Sequence, residues 1–340
     1  MKGFSRFNLG GYTAALMFAI IKTEMAWSSP FMGAQLYSQR YWAAAEHARA
    51  LRESGQVADA HLIDELSSTP IAIWLGEWSE SDGNSVGDCV SSVITAAGDL
   101  LPLFVVYMIP HRDRGQYSAG GAGSDDDYLC FIRSVADAAS ASGAPFILEP
   151  DALAHAAMMD DANRTARLRL LQRAHDILVA TGCTVYVDVG HARWLPAATA
   201  ACLLRSIGAD HFALNVSNFV GEEETLAYGN AVAFALGPAA SFVIDVGRCG
   251  TGPAIDGAWC NPSGRALGPP PSPVANGRCD ARLWVKVPGE SDGDAARGAP
   301  AAGQYWPEGA LELVRNRVHT PCIPHDERTP HGAPCAQQGL

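Results

Sequence analysis

Carboxylates stand directly behind several short apolar runs of this chain. Asp113 closes His111-Arg112-Asp113, Glu149 and Asp151 flank Pro150, Asp188 ends a Val-Tyr-Val run, and Glu290 and Asp292 follow Val287-Pro288-Gly289. Several acids with aromatic residues and no obvious nucleophile suit acetal hydrolysis. That reaction needs a protonated acid at the leaving oxygen, and a base-activated water or a nucleophile opposite. The acid must keep its proton near neutral pH, which burial or a neighbouring carboxylate achieves. Trp and Tyr faces would stack on sugar rings while amides and charged groups bond the hydroxyls. Taken singly, an Asp behind a strand is more often a helix cap or a turn former. The ordered set carries the argument.

Those residues need elements to bring them together. Short β-rich runs occur at 71–75, 103–109, 145–148, 184–187, 211–216, 241–246 and 283–287. They are apolar without strict alternation, as strands buried on both faces are. Helical stretches at 126–142, 163–181, 197–207 and 222–236 separate most of them. Strand and helix in alternation imply parallel βαβ units, and seven of them suggest a barrel, with a doubly wound open sheet as the alternative. In parallel barrels the C-terminal strand ends gather on one face, where active sites are built. Asp245 and Arg248 read as a buried ion pair, and Asp125 to Asp127 as a solvated helix start. Residues 268–274, rich in proline, read as a long surface loop, and the tail from 321 as irregular.

The 340 residues suit one large domain or two ordinary ones, and the 48% hydrophobic content is enough for a sizeable core. A net charge of −12 repels phosphate backbones, so no nucleic acid is expected as partner, while a neutral polysaccharide is not repelled. Residues 1–28 read as a signal peptide, with Lys2 and Arg6 ahead of an apolar stretch and Ala26 and Ser28 before the cut. The mature chain is therefore expected to be secreted or periplasmic, without stable membrane insertion. Nine cysteines show no CxxC and no zinc spacing, and an odd count leaves at least one thiol unpaired or joined to another molecule.

The ordered motifs resemble glycoside hydrolase family 6, the cellulases that include bacterial endoglucanases and fungal cellobiohydrolases. The resemblance spans roughly residues 30–310. It runs from Pro-Phe-Met-Gly-Ala-Gln-Leu-Tyr at 30–37 through Trp74, Tyr107-Met-Ile-Pro-His-Arg-Asp113 and Glu149-Pro-Asp151. It continues with Asp188-Val-Gly-His191-Ala-Arg-Trp194, Asn215-Val-Ser-Asn218-Phe, Trp259-Cys-Asn-Pro and Trp284-Val-Lys286-Val-Pro-Gly-Glu290-Ser-Asp292-Gly. The resemblance implies an α/β fold, a distorted seven-stranded parallel (β/α) barrel of TIM-barrel-like design in a single catalytic domain over 29–320. It implies inverting, endo-acting cleavage of β-1,4-glucan by a monomer that needs no cofactor or metal. Asp151 matches the general acid and Asp113 the neighbour that raises its pKa and helps organise water. Asp292 matches the proposed base and Asp188 a supporting carboxylate. Trp74, Trp194 and Trp259 match ring-stacking positions, and Tyr107 the group that crowds the sugar at the cleavage site. His191, Asn218, Lys286 and Glu290 match hydroxyl-binding positions, and Ser118 a place in the water network.

The chain departs from that pattern at two loop disulfides. Arg114 stands where the family often has a cysteine, and Met158 and Met159 occupy the partner region. Cys260 is present, but Asp294 occupies its usual partner's place. Arg114 would lower the Asp113 pKa if it points inward. A bridge from Cys260 to Cys279 is one expectation, a free buried thiol the other. Three rival functions remain: a cellobiohydrolase of the same family, a non-catalytic glucan-binding homologue, and a metal-dependent barrel hydrolase using Asp188, His191, Glu149 and His155.

Overall fold

The computed structural model describes residues 29–80, 83–275 and 277–317. The expected leader over 1–28 and the tail from 321 lie outside these residues. Strands β1 (Ile73–Leu75), β2 (Phe104–Val106), β3 (Pro145–Leu148), β4 (Thr184–Asp188), β5 (His211–Leu214) and β6 (Ser241–Asp245) pair in sequence order, all parallel. β8 (Cys279–Leu283) joins β6 in parallel, and the two-residue β7 (Ser272–Pro273) runs antiparallel along its outer edge. The parallel sheet curls until Ala72 N–H donates to Trp284 O at 3.0 Å, which brings its first strand to its last. This is a distorted half-closed barrel rather than an open doubly wound sheet.

Two differences from the expected elements have local causes. The last parallel strand ends at Leu283, where the sequence suggested that it begins. Asp245 captures the N–H groups of Val285 (3.2 Å) and Lys286 (3.0 Å), which draws 284–287 out of the ladder. The supposed loop 268–274 contributes β7, because Ser272 and Pro273 find partners in Arg282 and Ala281.

The strands look uniformly apolar because each face meets its own core. Phe104, Phe146, Val187, Phe212 and Phe242 point out to the helices. The residues between them (Val105, Ile147, Tyr186, Ala213 and Val243) fill the barrel interior with Phe31 and Leu283. The period of two is present, but both phases are hydrophobic.

Helices α1 (Trp42–Glu53) and α2 (Val57–Ser68) precede β1, and α3 (Val86–Ala97) and α4 (Asp125–Ala139) flank β2. α5 (Ala152–Ala156) and α6 (Asp161–Ala180) lie between β3 and β4. α7 (Ala197–Ser206), α8 (Glu222–Leu236) and α9 (Pro307–Arg315) complete the layer. The start of α4 is capped as the acidic run suggested: Ser124 accepts from Asp127 N–H, and three aspartates face the positive helix end. On α3, Val86, Val90, Val93 and Ala97 form one buried stripe at helical spacing. α8 docks tightly, since a Cβ on Gly229 would come within 2.4 Å of the Phe242 ring. Among the described residues no helix is long and apolar enough to cross a membrane.

Candidate active site

The polar side chains at the strand tips divide into two groups. One group is buried and ties neighbouring tips together. Glu149 accepts from Met108 N–H at 3.0 Å and Ile109 N–H at 3.1 Å, binding the β3 tip to the chain beyond β2. Asp188 Oδ1 accepts from Asp151 N–H at 2.8 Å and Gly190 N–H at 2.9 Å. Asp245 accepts from Ser217, Gly247, Val285 and Lys286 N–H, joining three tips at once. These bonds hold a sharply bent backbone: Glu149, Asp151, Asn215 and Ser217 have φ of 49°, 70°, 66° and 61°. Non-glycine residues adopt such angles only where surrounding bonds impose them.

The second group faces a cleft of about 1070 Å³ across the strand tips. Asp151 stands at its floor. Burial first, then the charge of Asp113, pushes its pKa up to about 7. Asp113 sits on the loop after β2, where Ser118 N–H donates to Oδ2 at 2.7 Å. Burial raises the Asp113 pKa, and the Ser118 N–H and Arg112 oppose that rise. Arg114 is not the cation concerned: it has φ of 50° and is exposed, while Arg112 is buried. The expectation for Arg114 is therefore corrected to its neighbour.

Across the cleft, Asp292 forms an ion pair with Arg248 Nη1 at 2.8 Å and accepts from Asn261 N–H at 3.0 Å. The expected direct ion pair of Arg248 with Asp245 is thus replaced by one with Asp292, and Arg248 acts on Asp245 only through its charge. The four main-chain donors already satisfy Asp245, leaving the guanidinium free to reach Asp292 and the Ser217 carbonyl. Lys286 donates to Glu290 at 3.1 Å, and Tyr41 O–H donates to the other carboxylate oxygen at 3.0 Å.

The aromatic positions line the same cleft. Trp74 is fixed by its indole N–H to Val285 O at 2.8 Å and meets Tyr107 edge-on at 5.4 Å. Trp194 lies between His155 and His191, with ring centroids at 5.2 and 5.5 Å. Trp259 is half exposed and leans on Tyr117 at 6.2 Å, joining the loop after β6 to the Asp113 loop. Ser118, His191, Asn218, Lys286 and Glu290 also line it. Of the residues that the family resemblance marked as catalytic or substrate-binding, Asp188 alone does not. It is fully buried behind Asp151 and reaches the cleft only through that residue's main chain.

Glu77, Trp78 and Arg112 line the cleft too, although neither the strand-end pattern nor the family motifs assign them a role. Arg112 places Nη1 and Nη2 at 2.7 and 2.9 Å from the two Glu77 carboxylate oxygens, and Trp78 N–H donates to Trp74 O. The signal was available: Gly-Glu-Trp-Ser follows the first apolar run just as the other polar groups follow theirs. Among the described residues no group of His, Cys, Asp and Glu is placed to hold a metal. Glu149 is spent on two N–H groups, and His155 packs on Trp194 with its pKa pushed down to about 4 by burial.

Of the two expectations for Cys260, the bridge to Cys279 is overturned and the free thiol stands. Cys260 and Cys279 are both free, as are the other five described cysteines. Cys279 opens β8 at the far end of the barrel, whereas Cys260 lies beside Asp292 at the strand tips. Cys260 Sγ instead accepts from Asp294 N–H at 3.3 Å, the residue that stands where its usual partner would be. Cys322 and Cys335 lie outside the described residues.

The sequence profile described as Glycosyl hydrolases family 6 matches residues 31–317. Endoglucanase A of Cellulomonas fimi is 43% identical over 265 residues, which are 76% of this chain and 57% of that protein. The chain thus spans little more than half the length of that relative. The 1,4-beta-D-glucan cellobiohydrolase C of Emericella nidulans is 29% identical over 365 residues, 86% of this chain and 79% of that protein. Among solved structures, the endoglucanase Cel6 from Mycobacterium tuberculosis, bound to methyl-cellobiosyl-4-deoxy-4-thio-β-D-cellobioside, superposes with a TM-score of 0.78 at 38% identity. That match covers 85% of this chain and 99% of the other.

Proposed function

The chain belongs to glycosyl hydrolases family 6, and from that premise we propose that it hydrolyses internal β-1,4 bonds of a glucan with inversion, Asp151 acting as general acid. The observation that carries this reading is Asp151 itself. Its carboxyl faces the cleft with its pKa near neutrality, beside a second carboxylate, on a main chain pinned from behind. Such a group keeps its proton at working pH and delivers it to the glycosidic oxygen. Asp113 holds that pKa up and helps order the attacking water. Asp292, held by Arg248, takes the water's proton directly or through a second water. Inversion leaves room for that water, with the Asp151 and Asp292 carboxyl groups roughly 6.5–9.5 Å apart. Asp188 supports Asp151 through its main chain.

Trp74, Trp194 and Trp259 stack glucose rings along the cleft, Tyr107 crowds the ring at the cleavage point, and His191, Asn218, Lys286 and Glu290 bond hydroxyls. Ser118 holds Asp113 by its main chain and offers its hydroxyl to the water network. The endo mode is favoured over the cellobiohydrolase mode by the higher identity to the endoglucanase relative. The retained pair of cleft carboxylates with Asp292 argues against a binding-only homologue. The leader-like composition of residues 1–28 supports export, tested by fractionating the producing cells, and light scattering tests for a monomer.

Carboxymethyl-cellulose tests the activity. Viscosity should fall well ahead of reducing-end release, and NMR of a cello-oligosaccharide digest should show the α-anomer first. Matched viscosity and reducing-end curves would replace endo by exo action, and a β-anomer would remove the inverting assignment.

A further inference from the structure

We propose that Glu77 is a positioning residue that acts through Arg112 to hold the Asp113 carboxylate in place over the cleft. This inference rests on the hydrolase reading above and deepens it.

The chain of contacts is short, and its central member is buried. Arg112 is 5% exposed, and every part of its guanidinium is used. Its two terminal nitrogens meet both Glu77 oxygens at 2.7 and 2.9 Å. Nη1 also donates to Tyr107 O at 2.7 Å, and Nε donates to Ser118 O at 2.8 Å. Ser118 then donates its N–H to Asp113 Oδ2 at 2.7 Å. The main chain of Arg112 closes the loop by donating to Gly120 O at 3.1 Å. The residues from 112 to 120 are thereby wrapped around one cation, and Glu77 is its only carboxylate partner among the contacts described.

A bidentate pair fixes a guanidinium plane as well as its position. Asp113 feels the Arg112 charge only at longer range, whereas Glu77 is the carboxylate in direct contact with it. Asp113, Arg114 and Gly115 all have positive φ, so the loop needs its outside bonds to keep that shape. Remove the Glu77 charge, and a buried cation is left without a partner, a state that strongly disfavours the buried position. Arg112 would then turn towards water and release the Ser118 carbonyl. Asp113 would lose both its N–H donor and the nearby cation that now oppose the effect of burial.

A bystander ion pair would have none of these consequences for the reaction. A sugar-contacting Glu77 would have a different one. It is half exposed and lines the cleft, so loss of a hydroxyl contact would appear in KM.

The test is Glu77→Gln, which keeps shape and removes charge, assayed on soluble cellulose across pH beside the wild type. The expected result is a kcat lower by roughly 10–100-fold, the range that small misplacement of a catalytic group produces. KM should change little, and the acidic limb of the kcat/KM profile should move to higher pH. Thermal melting establishes that the variant is folded at the assay temperature. Gly120→Ala disturbs the same pair from outside, because a Cβ there would lie 2.5 Å from Glu77 Oε1 and 2.6 Å from Arg112 Nη2. It should reproduce the shift of the acidic limb, and it decides the matter if Glu77→Gln fails to fold. A folded variant with an unchanged or lowered acidic limb, or with a loss confined to KM, overturns the proposal. A wild-type chain without activity on soluble cellulose would instead sink the hydrolase reading, and this inference with it.

Discussion

Asp188 accepts the main-chain N–H of Asp151 at 2.8 Å while its second oxygen is buried without a protein partner. The residue that faces the cleft is therefore oriented by one that does not. Burial, then the charge of Asp151, raises the Asp188 pKa well above the ordinary carboxylate range, which favours its neutral form.

Asp188→Asn should accordingly be mild. The amide keeps a neutral acceptor for Asp151 and Gly190 N–H, and activity should stay within about tenfold of wild type, the factor that some 1.4 kcal/mol represents. Asp188→Ala leaves two buried N–H groups unsatisfied and should cost about 1–3 kcal/mol of stability for each, with a much larger loss of kcat. Chemical denaturation and kcat for the two variants check this. Equal damage from both would mean that Asp188 works as a charge.

Asp151→Ala should lower kcat on cellulose by ~10²–10⁴-fold, as loss of a general acid does. A glucoside with a very acidic leaving group needs little protonation, so its hydrolysis should suffer far less. Cello-oligosaccharide binding, measured by calorimetry, should survive. Equal losses on both substrates would take the proton-donor role away from Asp151.

The basic limb of the activity profile should lie near pH 7, since the acid must be protonated and burial with Asp113 pushes it up to about 7. Activity is lost as pH rises through that value. Asp113→Asn removes a negative neighbour, so the Asp151 pKa falls and the basic limb moves to lower pH, besides any loss of rate. A kcat/KM profile whose basic limb stays or rises in Asp113→Asn contradicts the assigned coupling.

The seven described cysteines should all react with an alkylating agent once the chain is denatured, without prior reduction. A bridge closing a loop of the length between Cys260 and Cys279 would be worth ~3 kcal/mol and would move Tm by several degrees. Added reductant should leave Tm where it is. Peptide mapping that recovers Cys260 joined to Cys279 would refute the free-thiol assignment.

Much of the architecture was readable from residue order alone. Apolar runs followed by polar residues, spaced by helical stretches, imply parallel strands whose tips gather on one face. That rule gathered Asp113, Asp151, Asn218 and Asp292 on one face, and the family resemblance added Trp74, Tyr107, Trp194 and Trp259. Tertiary structure decided which polar tip does what. Glu149 and Asp151 are two residues apart in one tripeptide, yet the first is tied to the N–H groups of 108 and 109 and the second faces the cleft. Backbone turns at positive φ set those directions, and they depend on donors from neighbouring strands that no local pattern reveals. The same holds for Arg248 choosing Asp292 over Asp245, and for Glu77 meeting Arg112 35 residues away. Hydrophobic periodicity determines which segments are strands, because burial acts on each residue type in much the same way wherever it falls. A buried charge or donor is settled by whichever complementary group the completed barrel brings within hydrogen-bonding distance.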